Sequence, residues 1–595
     1  MVNNLPKLIL LGWVQVTLGL TQENPKRFWQ PVQEYFTIVT PQREGRQKRE
    51  HRVNPFLSYT HLGTDFGFVG PAEAAIGWQP GMVCATLPAN SDGWAGMWHS
   101  LNRLARLPGD TLNFQRCYPA WIGEKFQPRI VGLRMNVMGR GEVKIDIRGP
   151  NQEALWSHKF SVTADRMVAV RRELLPEKLG AAKFLTWVAE PGSDFCIDNV
   201  GFEVEPPALD FDLYVFLVSY AKAARCYSSD TGLARDRAHT EDGAFDSIPA
   251  TGLFALSTAT AAKLGIVTLE FSRMVLRRAL DAAALLEGPH GLLPHFARRG
   301  ERGVMIHPGT EYSTVDTSIF YHGTLLAAQI LADEELIVRA RAGMKRTDFA
   351  SLRNAEGYVS HGVGDDGQNI LPYIWRDWGG ETALVLLHQQ YASEGRLTPM
   401  MADTGRVHQG CGFIADIQSL FYPDFDQQFT GILSRINWRE SRERLLRDQK
   451  SYFQRTQSED GFARRHGIYG LSSGEGAYGR GYHVGGVDLP HQTLIHPHYI
   501  LLSATLESEP QTVYGLLKRM QSLDLLPPWG LVENVLADGS EHVPLQGALN
   551  ANFEALGAYH LMAKSRGSPD IIHRAATDSP DLRQAIAVFN RQPPL

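Results

Sequence analysis

The sequence predicts a mainly α protein, a closed toroid of helical hairpins that follows an N-terminal antiparallel β-sandwich. Short runs of apolar alternation, separated by Gly, Asn and Asp, fill the first third of the chain. The pattern changes at Pro206 and Pro207, and helical periodicity then continues almost to the end. We therefore expect an N-terminal segment at residues 1–53, a jelly-roll-like sandwich at 54–206 and a helical domain at 207–595.

Length and composition describe a globular protein of two or three domains. The chain has 595 residues, of which 43% are hydrophobic and 21% charged. A net charge of -5 gives no reason to expect nucleic acid or an anionic membrane surface as a partner. The 12 Trp and 19 Tyr residues suit carbohydrate binding. We expect an oligo- or polysaccharide partner and leave the oligomeric state open.

The apolar run at residues 8–20 bears on localisation. It has the length of a signal-peptide core and is too short to span a bilayer. Gln15 and Thr17 interrupt it, however, and no small-x-small cleavage site follows. The protein is periplasmic or secreted if this run is a signal, and otherwise cytoplasmic, with the run as a buried strand or helix.

The five cysteines are scattered and form no CxxC pair, so we expect neither a disulfide framework nor a structural zinc site. The histidines near residues 491–498 have no i,i+4 pair and no nearby thiolate to complete a metal site. No dinucleotide fingerprint and no nucleophile elbow appears. The prediction is an absence of metal and cofactor.

The β region is predicted from four runs, RIVGLRMNV, EVKIDIRG, LWSHKFSV and RMVAVRREL, with FCIDNVGFEVE closing it. The helical region is predicted from ten apolar-periodic segments, at residues 211–227, 248–264, 269–286, 314–331, 334–349, 381–391, 429–453, 493–506, 510–522 and 546–562. Long polar and aromatic loops join them, which favours a toroid with its loops gathered at one mouth. A solenoid is the alternative, but no fixed repeat period is present.

Residues 373–388, YIWRDWGGETALVLLH, are the strongest candidate for a functional site. Trp375, Trp378 and Glu381 are three apart and would share one face of a helical turn. Aromatic rings stack on the C–H faces of sugars, and a carboxylate beside them can transfer protons. The alternative is a Trp-rich helix start packed in the core, with Glu381 favoured there by the helix dipole.

Four other stretches carry candidate groups, each with a structural alternative. Glu311 and Asp316 lie in TEYSTVDTSIFYHG, where a helix cap is the alternative. Glu554 sits mid-helix between apolar residues and could face solvent. The other two are the loop with Tyr422 and Asp424, whose acids could only favour a helix start, and the glycine-rich stretch with Tyr469 and Glu475.

In order along the chain, these pieces resemble the glucoamylase-like (α/α)6 family that includes the endo-β-1,2-glucanases. The markers are IPATGLFALSTATAAKLG, STVDTSIFYHGTLLAAQILAD, WGGETAL, YPDFDQQF, GIYGLSSGEGAYG, LIHPHYILLSATLESE and QGALNANFE. The resemblance covers residues 210–562 and implies an (α/α)6 toroid, an active site in its mouth and hydrolysis with inversion. The family often has Asp before Gln-Gly-Pro, where this chain has Leu545 before Gln546-Gly547-Ala548.

Carried over by position, the resemblance implies that Glu381 is the general acid and that Asp316 or Glu554 is its catalytic partner, with Glu475 as a further candidate. It also implies substrate-binding positions, namely Glu311, Trp375, Trp378, Tyr422, Asp424, Tyr469, Glu475 and His496. The expected function is hydrolysis of β-glucan, in particular β-1,2-glucan. The alternatives are a non-catalytic glycan-binding protein, an exo-acting glycosidase or transglycosylase on the same scaffold, and a polysaccharide lyase.

Overall fold

The computed structural model describes residues 28–31, 37–39, 42–43, 46–47, 50–52, 66–71, 74–79, 82–100, 112–238, 245–301, 303–402, 406–426, 437–475, 482–540, 542–543 and 547–589. The apolar run at residues 8–20 therefore lies outside the described residues. Within these ranges, no helix has both the length and the apolar character that crossing a membrane requires.

A nine-stranded antiparallel sheet forms the N-terminal part of the described chain. Its strands are β1 (Phe28–Pro31), β2 (Phe66–Val69), β3 (Ala75–Gln79), β4 (Met82–Thr86), β5 (Ala95–Ser100), β6 (Arg129–Arg148), β7 (Ala154–Glu173), β8 (Phe184–Ala189) and β9 (Asp194–Glu205). The strand order is β2-β5-β8-β6-β9-β4-β3, with β1 beside β9 and β7 beside β6. A separate core of apolar side chains fills one side of this sheet.

The prediction of four short strands between residues 129 and 174 is wrong, because they form two continuous strands of 20 residues each, β6 and β7. The glycines that suggested turns instead sit inside β6. Gly139 and Gly141 have φ of 113° and 112°. A Cβ on Gly139 would lie 2.2 Å from the carbonyl oxygen of Asp194, so glycine is required by close strand approach. The first half of β6 pairs with β9 and the second half with β8.

The expectation of no disulfide framework overlooked one disulfide. Cys84 on β4 and Cys196 on β9 are directly opposite each other and form a disulfide. They are 112 residues apart in sequence, so only the register of the two strands brings them together. The other three cysteines are buried and take no part in this disulfide.

The helices that follow agree closely with the apolar-periodic segments. They are α1 (Phe211–Ala224), α2 (Ile248–Lys263), α3 (Leu269–Leu286), α4 (Thr314–Leu331), α5 (Glu334–Lys345), α6 (Gly380–Ala392), α7 (Gly412–Asp416), α8 (Trp438–Thr456), α9 (His498–Leu502), α10 (Pro510–Ser522), α11 (Ala548–Ser565), α12 (Ile571–Asp578) and α13 (Pro580–Phe589). Single turns of α-helix also occur at Pro176–Leu179 and Phe462–His466. Residues 429–436 of one predicted helix lie outside the described residues.

Six of these helices contact one another in a closed series, in which the last helix packs on the first. Helix α2 packs on α4, α4 on α6, α6 on α7, α7 on α9, α9 on α11, and α11 on α2 again. The contact between α2 and α4 depends on glycine: a Cβ on Gly252 would lie 2.4 Å from the Cα of Phe320, and one on Gly323 would lie 2.3 Å from the carbonyl oxygen of Gly252. These two glycines let the backbones of α2 and α4 approach closely. The remaining long helices pack outside this series.

The sheet and the helices share a packed interface. The hydroxyl of Tyr118 donates to the carbonyl oxygen of Pro528 at 2.5 Å, and Trp529 contacts the apolar cores of both parts. The guanidinium of Arg225 lies over the Trp529 ring at 4.9 Å and donates to the carbonyl oxygen of Cys117. Tyr118 and Arg225 are both buried, and each makes a hydrogen bond to the opposite part.

Candidate active site

A cavity of about 640 Å³ opens where several helices begin. The start of α4 contributes Asp316, the start of α6 contributes Glu381, and the start of α11 contributes Asn550. The described lining carries the carboxylates of Asp236, Glu311, Asp316, Glu381, Glu475 and Glu533. So many acids in one partly closed space cannot all be ionised at low cost, and their pKa values are pushed apart.

Glu381, at the start of α6, has a strongly raised pKa. Burial raises the pKa of Glu381 from 4.5 to about 8, and the neighbouring charges of Asp316 and Asp377 add to the increase. Asp377 is fixed in place, since it accepts hydrogen bonds from the Thr382 hydroxyl at 2.7 Å and from the Gly379 N–H at 2.9 Å. These effects outweigh the helix dipole, so Glu381 holds its proton at neutral pH.

A histidine connects two other acids of the cavity. The Nδ1 of His295 lies 3.0 Å from a carboxylate oxygen of Glu311 and 3.8 Å from one of Asp316. Although burial favours a neutral ring, the charges of Asp316 and Glu311 raise the pKa of His295 to about 9. The hydrogen bond from His295 lowers the pKa of Glu311. Burial raises the pKa of Asp316, and His295 opposes that increase.

His295, Glu311 and Asp316 also form a set that could hold a metal ion. Their ligand atoms all lie within 4.8 Å of one another, and one nitrogen with two carboxylate oxygens is a donor set that divalent cations accept. The ion pairs within the set already satisfy these atoms without a cation.

The opposite wall holds two more acids with fixed partners. Arg237 forms an ion pair with Glu475 at 2.9 Å, and Glu475 is almost fully buried. Glu533 accepts a hydrogen bond of 2.6 Å from Asn550, and burial raises its pKa. The Nζ of Lys222 lies 3.6 Å from Glu533, behind the cavity wall.

The structure does not place Glu554 at the cavity, which corrects its assignment as a catalytic partner. Glu554 is fully buried and pairs with Lys222 at 2.7 Å. It is the seventh residue of α11, so it lies roughly 9 Å along the helix from the end that faces the cavity. Burial raises the pKa of Glu554 to about 7, while Lys222 opposes the increase. An internal ion pair explains this acid within an apolar helix.

The expected row of Trp375, Trp378 and Glu381 on one helical face is also wrong. Trp375 lies in a short strand (Ile374–Trp375), and α6 begins only at Gly380 because the two glycines follow the extended segment. Trp375 lines the cavity and stacks on His361 with ring centroids 4.0 Å apart, and its indole N–H donates to Thr314. Trp378 instead packs against the helical core.

Four further candidates lie outside the lining of this cavity. Tyr422 is fully buried and its hydroxyl bonds the His322 ring between helices. Asp424 follows it in a short 3-10 turn. Tyr469 is buried, and His496 stacks on the ring of His483. Their assignment as substrate-binding residues stays a prediction.

Sequence reasoning missed several residues of the lining: Asp236, Arg237, His295, His361, Tyr373, Tyr482 and Glu533. Glu533 had a usable signal, because it is a lone acid in the apolar run LVENVL, and such an acid needs a buried partner. Tyr373 is 66% exposed at the rim. The other residues reach the cavity only because the fold brings distant parts of the chain together.

Comparison with solved structures identifies the class of fold. No protein-family model and no curated protein matches the chain by sequence. The β-1,2-glucanase from Parabacteroides distasonis is similar over 90% of this chain and 98% of its own, with a TM-score of 0.54 and 11% identity. The endo-β-1,2-glucanase from Chitinophaga pinensis matches 65% of this chain and 100% of its own, at 0.51 and 12%. A candidate glucoamylase from Bacteroides caccae matches 64% and 99%, at 0.51 and 13%.

The chain therefore has the glucoamylase-like fold that these β-1,2-glucanase structures share. At 11–13% identity the likeness concerns the fold. The match to the Parabacteroides structure extends well beyond the 65% matched by the Chitinophaga structure.

Proposed function

We propose that the protein is a glycoside hydrolase that cleaves β-glucan, in particular β-1,2-glucan, with inversion. The observation that carries this proposal is the burial of Glu381 near Asp316 in a cavity lined by aromatic and polar side chains, which raises the pKa of Glu381 to about 8. A pair of acids whose environments separate their pKa values can supply the acid and the base of glycoside hydrolysis. The β-1,2 linkage is inferred from the names of the similar structures.

We further propose an (α/α)6 toroid preceded by a β-sandwich, divided near Pro206 and Pro207. The closed series of contacts from α2 through α11 supports the toroid. The exchange of partners along β6 supports the sandwich, since one long strand can belong to two sheets that fold over each other.

Glu381 acts as the general acid. Its carboxyl proton passes to the glycosidic oxygen as the bond from that oxygen to the anomeric carbon breaks, and Glu381 is left ionised. Asp316 acts as the general base, taking one proton from a water molecule whose oxygen bonds to the anomeric carbon from the opposite face. The sugar is released with inverted configuration. The protonated His295 beside Asp316 keeps that carboxylate ionised between turnovers.

The other lining residues bind the sugar chain. The ring of Trp375 offers a stacking surface, and Tyr373 at the rim is positioned for the next sugar unit. Glu311 and Glu475 accept hydrogen bonds from hydroxyl groups, and Arg237 donates to them. Because Glu475 and Glu311 already have cationic partners, the cavity suits a neutral glycan.

The first test is hydrolysis of linear β-1,2-glucan by wild type and by Glu381→Gln, measured as reducing ends released. We expect the variant to lose at least about 10³-fold in kcat, within the range that general acid–base groups contribute. Glu270→Gln is a matched control, because Glu270 is also the second residue of a helix but is exposed. Wild-type turnover by Glu381→Gln would exclude this acid.

Three further readouts separate the steps. Glu381→Gln should retain much more activity on a glycosyl fluoride than on glucan, because fluoride leaves without a proton. Asp316→Asn should lose activity on both substrates. Proton NMR of the first product should show the inverted anomer. Glucan binding by the wild-type protein with no release of reducing ends would favour the non-catalytic alternative.

A further inference from the structure

A second cavity, of about 490 Å³, lies on the N-terminal sheet and shares no lining residue with the active site. Its lining is Trp94, Gly96, Trp98, Arg148, Gln152, Phe184, Thr186, Trp187 and Val188. Side chains alternate along a strand, and Leu185 and Trp187 of β8 are buried in the sheet core. Phe184 and Thr186 therefore project from the opposite face, which is turned away from that core.

Aromatic rings form one side of this second cavity. Trp94 is 51% exposed although it is the largest kind of apolar side chain. A Cβ on Gly96 would lie 3.1 Å from the Trp94 ring, so the absence of a side chain at Gly96 lets the indole lie close to the strand. Trp98 meets Phe184 edge to face, with ring centroids 5.7 Å apart. The result is an open aromatic platform supported by a rigid ring pair.

Polar groups beside the platform are held in place, and their positive charges are partly offset. Arg148 donates to Asp146 at 2.6 Å and to the carbonyl oxygen of Gln152 at 3.1 Å. Lys144 also pairs with Asp146, which accepts a further hydrogen bond from Ser157. Arg148 and Lys144 thus share one carboxylate, which offsets one of their two positive charges, and the surface offers fixed hydrogen-bond donors.

We propose that this surface is a second glycan-binding site, which takes a neutral β-glucan chain. An exposed indole face stacks on the C–H face of a sugar ring, and Arg148, Gln152 and Thr186 hydrogen-bond its hydroxyl groups. The choice of β-glucan over other neutral glycans rests on the proposed function. Because Tyr118 and Trp529 fix the sheet on the helices, a polymer bound here stays at a constant distance from the active site.

The test counts binding sites for a β-1,2-gluco-oligosaccharide by isothermal titration in the Glu381→Gln background, where the ligand is not cut. We expect two sites per chain, and one after Trp94→Ala is added, with at least tenfold weaker binding at the lost site. Leu175→Ala is the matched control, because Leu175 is also 51% exposed in the same part of the chain but outside this lining. It should leave two sites, and all variants should share one thermal midpoint.

The outcomes separate this proposal from the proposed function. A change from one site to none on adding Trp94→Ala would support the sheet surface while contradicting glucan binding in the helical cavity. An equal number of sites with and without Trp94→Ala would overturn the sheet surface and leave the hydrolase intact. Tighter binding of polygalacturonate than of β-glucan, or a Trp94-dependent dimer without glycan binding, would also overturn it.

Discussion

The ion pair beneath the active site allows a structural role for Glu554 to be separated from a catalytic one. Lys222 and Glu554 are both fully buried and 2.7 Å apart. Removing one partner of such a pair costs about 3–5 kcal/mol, because the other charge is left without compensation in the interior. In Glu554→Gln, Lys222 keeps the carbonyl oxygen of Leu531 at 2.8 Å and Glu533 at 3.6 Å, so we expect the lower value. In Lys222→Met, both Glu533 and Glu554 lose the positive charge of Lys222, so we expect a loss of stability of about 5 kcal/mol.

These free energies convert to shifts in the thermal midpoint. A helical unit of roughly 380 residues loses about 0.8 kcal/mol of stability per degree near its midpoint. We therefore expect decreases of about 4 °C for Glu554→Gln and about 6 °C for Lys222→Met by scanning calorimetry at pH 7. The double variant Lys222→Met/Glu554→Leu should recover part of the loss, since Glu533 is then the one acid of this trio left without the Lys222 charge. At 25 °C, kcat of Glu554→Gln on glucan should stay within about twofold of wild type. An unchanged midpoint with lost activity would refute the structural role.

Three other changes have expected results. The folded-state pKa of Glu381 lies above its usual 4.5, so wild type loses stability as pH rises through about 8; Glu381→Gln should then exceed wild type in thermal midpoint at pH 9 but not at pH 4. Cys84→Ser removes the link to Cys196 across 112 residues, and urea unfolding should show the sheet destabilised by about 4–5 kcal/mol, with reductant having no further effect on the variant. Gly323→Ala places a methyl group against Gly252, and we expect this overpacking to cost about 1–3 kcal/mol and to lower the thermal midpoint of the helical part. Gly515→Ala is the control, because a methyl group there would meet no other atom, and its midpoint should not fall.

Activity should also follow the two raised pKa values. With Glu381 as acid, kcat/KM should fall as pH rises through about 8, because the proton needed by the leaving oxygen is lost. With Asp316 as base, it should fall again at acidic pH, at a pKa above the usual 3.8. A pH profile measured on β-1,2-glucan should be bell-shaped. An alkaline limb that survives Glu381→Gln unchanged would assign that proton to another group.

Periodicity predicted the helices well because their buried faces repeat along one segment, as in α2, α4 and α11. Local motifs and the family resemblance, not periodicity, singled out Glu311, Asp316, Glu381 and Glu475, and all four line one cavity. The rest depends on distance through space. Nothing local distinguishes an acid that faces a cavity from one that meets Lys222 across the interior, as Glu554 does.

The same limit explains the errors in the sheet. The glycines in β6 allow the neighbouring strand to approach closely. In the sequence, a glycine at such a position cannot be distinguished from a glycine in a turn. The disulfide depends on strand register, which pairs residues more than a hundred positions apart. His295 and Arg237 acquire their importance only from the acids that other loops bring to them.

The buried contact of Arg225 with Cys117 and Trp529 has a consequence for how this chain could be shortened. Removing the first two hundred residues would expose the Arg225 guanidinium and the Trp529 indole on the surface of the helical unit. The carbonyl oxygen of Pro528 would also lose its hydrogen bond from Tyr118. An isolated catalytic fragment would need those positions redesigned before it stayed in solution, so deletion series that stop near Pro206 will confuse poor expression with loss of chemistry.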